Sequence, residues 1–93
     1  MPQWKQGLVS YLGDRDNWTC GICGKPAPKE LRGKDHPLAP TIGHIVPLSR
    51  GGDYRESNLR CEHYSCNQAK KDLLDHELIY KLGLLGSVNA EVT

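Results

Sequence analysis

Trp4, Leu8, Tyr11 and Leu12 recur at three- and four-residue intervals in WKQGLVSYLG. That spacing predicts an amphipathic helix over residues 3–13, with Gly13 as its stop. The period is then lost. DRDNWTCGICGKPAPKE reads as a turn-rich knuckle, and Pro26, Pro28, Pro37 and Pro40 mark the stretch up to residue 40 as loop. TIGHIVPL, residues 41–48, is rich in β-branched residues and predicts a strand, followed by loop and turn in SRGGDYRES. Ser57 or Asn58 then caps a predicted helix containing LRCEHYSCNQAKKD. In DHELIYKLGLL, Leu74, Leu78, Ile79 and Leu82 form a second apolar helical face, with Gly83 and Gly86 ending it. No repeat is present, and the last few residues read as disordered.

Composition makes this a single domain, residues 1–93, with a thin core. The chain has 38% hydrophobic residues, no Phe, one Met and ten glycines. A core of this quality supplies about 3–5 kcal/mol, so a staple is expected. Four cysteines are the material for one. The N-terminus shows no apolar run of the signal-peptide kind, and no stretch approaches the ~18 apolar residues of a membrane span. A reducing, cytoplasmic setting is therefore expected, which favours metal ligation over disulfides. Charge is unevenly distributed. Residues 1–71 carry eleven Lys/Arg against seven Asp/Glu, while residues 72–93 carry one Lys against four acids. The basic part is suited to a polyanion, though a modest excess also describes an ordinary solvated surface.

Cys20-Gly-Ile-Cys23 is half of a tetrahedral zinc site. His63-Tyr64-Ser65-Cys66 repeats the spacing at the start of the predicted helix, where positions three apart share a face. Cys61 competes with His63 as the fourth ligand. On a helix it would point about 140° away from Cys66, so the preferred set is Cys20, Cys23, His63 and Cys66. Cys61 is then a small core residue.

GHIVPLSRGG (43–52), SNL (57–59) and EHYSCNQAK (62–70), taken in order, resemble the HNH endonuclease family over about Trp18 to Lys71. The resemblance implies a two-stranded ribbon followed by a helix around a divalent cation. It implies that His44 is the general base, that Asn58 holds the loop and orients the histidine, and that Asn67 ligates a catalytic cation such as Mg2+, Mn2+ or Ni2+. Imidazole chemistry agrees with the first role, since His titrates near pH 6.5. His36 and His76 are expected at the surface. Gly43 departs from the family pattern, in which an Asp, Glu or His at this position supplies a second protein ligand to the cation.

The expectation is therefore a small α+β domain: N-terminal helix, zinc knuckle, ββα-metal core and C-terminal helix. Its expected function is metal-dependent DNA endonuclease, with Arg50, Arg60, Lys70 and Lys71 contacting phosphates, acting as a monomer without a membrane. The resemblance adds a phage setting with a terminase or other packaging protein as partner. The rival is a zinc-stabilised module that binds DNA or protein without cutting, and Gly43 favours it.

Overall fold

Two short strands pair antiparallel in the computed structural model, which describes residues 3–85 and the side chains of residues 5–80. β1 (Pro40–His44) and β2 (Leu59–His63) set Thr41 against Glu62, Ile42 against Cys61, Gly43 against Arg60 and His44 against Leu59. Because partners in register share a face, Ile42, His44, Leu59 and Cys61 lie on one side of the ribbon and Thr41, Gly43, Arg60 and Glu62 on the other. α1 (Gln3–Arg15) packs on both strands, and its Val9 and Leu12 join Leu59 and Cys61 in the core. α2 (Tyr64–Lys70) leaves β2 directly and turns back onto the ribbon. α3 (Asp75–Leu85) follows. The domain is thus the small α+β, ββα arrangement expected. No helix among the described residues is long and apolar enough to cross a membrane.

The strand predicted over 41–48 stops at His44. Beyond it the Val46 N–H donates to the Asn58 side chain at 2.8 Å, and Pro47 has no N–H to give. The chain turns instead through a 3-10 segment, Leu48–Arg50, closed by Gly51 at φ 94°. The larger correction concerns residues 59–63. The helix predicted to follow Ser57 or Asn58 begins only at Tyr64, and Asn58 closes a 3-10 turn (Glu56–Asn58) rather than capping an α-helix. Leu, Arg, Cys, Glu and His alternate across the ribbon with a period of two. Pairing with β1 outweighs the local helical propensity of this stretch.

Gly13 does not stop α1, which runs on to Arg15. Its missing side chain makes room for the Trp18 ring, which would overlap a Cβ there. The reversal is made by Asn17 and Trp18 at φ 55° and 49°. Gly83 likewise lies inside α3 rather than ending it. The apolar face of α3 is narrower than predicted: Leu78 is buried, but Ile79 is exposed. The side chains of Trp4 and Leu82, Gly86 and the C-terminal tail lie outside the described residues.

Candidate functional site

Backbone geometry assembles the first half of the metal centre. The Cys20 N–H donates to Lys25 O at 2.9 Å and the Gly24 N–H to Cys20 O at 2.9 Å, with Gly24 at φ 77°. The tight turn points the Ile22 N–H at Cys20 Sγ, 3.4 Å away, and the His63 N–H reaches the same sulfur from β2 at 3.3 Å. The second half sits where β2 becomes α2. His63 caps α2 from an extended conformation, and Cys66 lies in the first turn of the helix. One ligand atom each from Cys20, Cys23, His63 and Cys66 falls within 4.8 Å of all the others. His63 presents Nδ1, 3.3 Å from Cys23 Sγ and 3.7 Å from Cys66 Sγ. Its Nε2–H donates to Pro26 O at 2.8 Å, which fixes the tautomer that leaves Nδ1 free to ligate. Three cysteine sulfurs and one imidazole supply the four ligands of a structural zinc-binding group, with Cys20 and His63 buried and Cys23 at the surface.

Cys61 stands outside this group. It is buried on β2, and burial, then the Asp16 carboxylate, push its thiol up to about 11. Its sulfur is not among the four ligand atoms that converge, and it packs in the core with Leu12 and Leu59. Cys61→Ser is expected to keep its zinc and cost about 1–3 kcal/mol, the penalty of a buried hydroxyl; zinc analysis beside thermal melts checks both.

His44 ends β1 on the face toward α1. Its Nε2 is buried and has no hydrogen-bond partner, and the ring meets Tyr54 edge-on at 4.6 Å. Burial, followed by the nearby Lys70 charge, lowers its pKa below 6.5 against an opposing pull from Asp53. The Lys70 ammonium donates to the carbonyls of His44 at 2.7 Å and Ile45 at 3.3 Å, so a buried cation pins the strand end that carries the ring.

Asn58 closes the loop that returns from this strand. Its Oδ1 accepts from the Val46 N–H at 2.8 Å, and its Nδ2 donates to Val46 O at 3.1 Å and Asp53 O at 2.9 Å. The Ile45 N–H adds a bond to Asn58 O at 2.8 Å. Asn58→Ala is expected to lose about 1–3 kcal/mol, because several backbone groups lose their partner together. Denaturant unfolding with amide exchange at Val46 measures this.

Asn67 faces β1 from α2. Its Nδ2 donates to Thr41 Oγ1 and to Ile42 O, both at 3.2 Å. Its amide oxygen is therefore the atom left to ligate a cation. Asn67, His44, Lys70 and Lys71 line one cleft of about 260 Å³.

The four basic residues expected to face phosphate have different surroundings. Lys71 is exposed at the rim of this cleft. Lys70 is only 2% exposed and occupied as described. Arg50 is paired with Glu77 at 2.9 Å, and Arg60 lies between Glu62 at 2.6 Å and Asp75 at 2.8 Å.

Glu62 escaped the sequence reading. It is wholly buried on β2, yet only one of its oxygens is bonded, Oε2 to Arg60 Nε; Oε1 has no partner. A Cβ at Gly43 would overlap its carboxylate carbon and both oxygens. Gly43 is not among the glycines at positive φ, so it is there for space rather than for backbone angle. The available signal was the period-two alternation of residues 59–63, hidden by assigning them to a helix.

Comparison with curated proteins and comparison with solved structures each give no match. The family model described as HNH endonuclease matches residues 20–73, from the first zinc ligand to just beyond α2. That match takes in more than half of the chain and every element of the ββα unit, and the chain belongs to the HNH endonuclease family.

Proposed function

We propose that the protein is a metal-dependent DNA endonuclease with His44 as its general base. One observation carries the reading: His44, whose buried Nε2 is committed to no hydrogen bond, lines a single cleft with Asn67 and the exposed Lys71. Asn67 offers a hard amide oxygen there, which suits a cation of the Mg2+ or Mn2+ kind that keeps much of its water. Such a cation supplies charge stabilisation for the phosphorane and the leaving oxygen. His44 takes a proton from water as the water oxygen bonds to phosphorus and the bond to the leaving oxygen breaks. The lowered pKa keeps the ring unprotonated at neutral pH, as a base requires. Lys70 and Asn58 are positioning residues, since they hold the backbone from His44 to Val46 rather than the substrate. Lys71 is the cation placed to meet a phosphate. Phosphate contacts give position without reading sequence, so nicking or cleavage of low specificity is the expected outcome.

The test is supercoiled plasmid incubated with zinc-loaded protein, alone and with added Mg2+, Mn2+ or Ni2+. Nicked circles that depend on the added cation are expected. DNA retained in a gel shift but intact with every cation overturns this reading in favour of a zinc-stabilised binding module.

A further inference from the structure

Resting on the nuclease reading of His44 and Asn67, we infer that Glu62 is a ligand of the catalytic divalent cation. It delivers from β2 the carboxylate that position 43 of β1 does not carry. The register places Thr41, Gly43, Arg60 and Glu62 on the face that meets α2, and Asn67 reaches the same face through its bond to Thr41, the residue opposite Glu62. The volume that a side chain at 43 would occupy is filled by the Glu62 carboxylate. Glycine at 43 and glutamate at 62 are thus one arrangement, with the acid moved to the neighbouring strand.

The state of the two carboxylate oxygens points to a cation. Oε2 is held by Arg60 Nε at 2.6 Å, and Arg60 is held in turn by Asp75 through two bonds of 2.8 and 3.0 Å. Gly21 makes room for the Arg60 side chain on one flank of this pair as Gly43 does for the carboxylate on the other. Oε1, fully buried, is left with nothing. An unpartnered buried carboxylate oxygen is costly and rare. Carboxylates that ligate metals are characteristically oriented by a hydrogen bond, as Oε2 is here. The neighbouring protein cations are committed elsewhere: Arg60 to Oε2 and Asp75, and the Lys70 ammonium to the carbonyls of His44 and Ile45. A hard oxygen donor with an uncommitted lone pair suits Mg2+ or Mn2+.

It follows that Gly43→Asp alone does not add a ligand. The new side chain overlaps Glu62, and overpacking of this kind lowers the melting temperature. The informative change is the swap, Gly43→Asp with Glu62→Ala, which returns a carboxylate to the same space from β1.

Mn2+ is the probe, titrated into zinc-loaded protein and followed by the electron paramagnetic resonance of the free ion. The wild type is expected to bind one Mn2+ beyond its zinc. Glu62→Gln, which keeps shape and removes charge, is expected to weaken that binding on the order of tenfold or more with zinc content unchanged. The swap variant is expected to recover most of the loss, and it decides the matter if Glu62→Gln does not fold. Equal Mn2+ affinity in wild type and Glu62→Gln overturns the inference, as does a folded swap variant that binds Mn2+ no better than Glu62→Gln. The two readings fail separately. Mn2+ binding that depends on Glu62 in a protein that nicks no DNA supports the cation site and overturns the nuclease. Nicking with the same Mn2+ dependence in wild type and Glu62→Gln overturns the cation site and leaves the nuclease standing.

Discussion

Cys20→Ser and Cys66→Ser proteins are expected to lose the native fold altogether. The buried aliphatic side chains among the described residues are few, with Val9, Leu12, Leu59 and Leu78 the large ones. A core of that size supplies about 3–5 kcal/mol, whereas a structural zinc site contributes on the order of 10 kcal/mol of folding free energy. The metal term is the larger, so removing one thiolate removes more than the rest of the domain can replace. The loss also spreads through the functional site. His63 ends β2 and caps α2, and α2 carries Asn67 and Lys70 against the strand end that holds His44. Circular dichroism with metal analysis checks this, with about one zinc per folded chain expected. His63→Ala should behave like the cysteine variants, while Cys61→Ser should stay folded. A zinc-free chain that keeps its native spectrum contradicts the zinc assignment.

His44→Ala is expected to leave zinc, fold and DNA binding intact while lowering cleavage by roughly 10²–10⁴-fold, the usual contribution of a general base. The ring is part-buried but its Nε2 supports no hydrogen bond, so no polar contact of the fold depends on that nitrogen. The lowered pKa sets the direction of the pH dependence. The unprotonated ring is the active form, so cleavage rises with pH, and its rising limb lies below the pH at which an ordinary histidine would give it. Lys70 favours this by repelling a proton from the ring, and Asp53 opposes it. Lys70→Met should therefore move the rising limb toward higher pH, which initial nicking rates across pH measure at saturating cation.

Much of this was legible in the sequence because it is local. Cys20-x2-Cys23 and His63-x2-Cys66 fix half-sites by spacing alone, and the structure joins them. Helical spacing turns Cys61 away from Cys66, which excludes it only if it lies on a helix. It lies on a strand instead, and its sulfur is not among the ligand atoms that converge. What sequence could not show depends on pairing across the ribbon. Nothing local to LRCEH says that it lies against PTIGH, so its alternation was read as the start of a helix. That misreading hid Glu62 and made Gly43 seem an empty position, although the two residues fill a single space. The same limit applied to the basic residues. Arg50, Arg60 and Lys70 are equal charges in the sequence, but in the fold Arg50 is exposed beside Glu77, Arg60 is paired with Glu62 and Asp75, Lys70 is buried on backbone carbonyls, and Lys71 is exposed at the cleft.

The central claim, that the His44 ring activates the attacking water, is tested most directly by single-turnover nicking of plasmid with zinc-loaded His44→Ala protein at saturating Mn2+, with and without added imidazole. The account predicts slow nicking that accelerates as neutral imidazole is supplied, because the free base replaces the missing ring. His44→Ala protein that nicks at the wild-type rate without imidazole contradicts it.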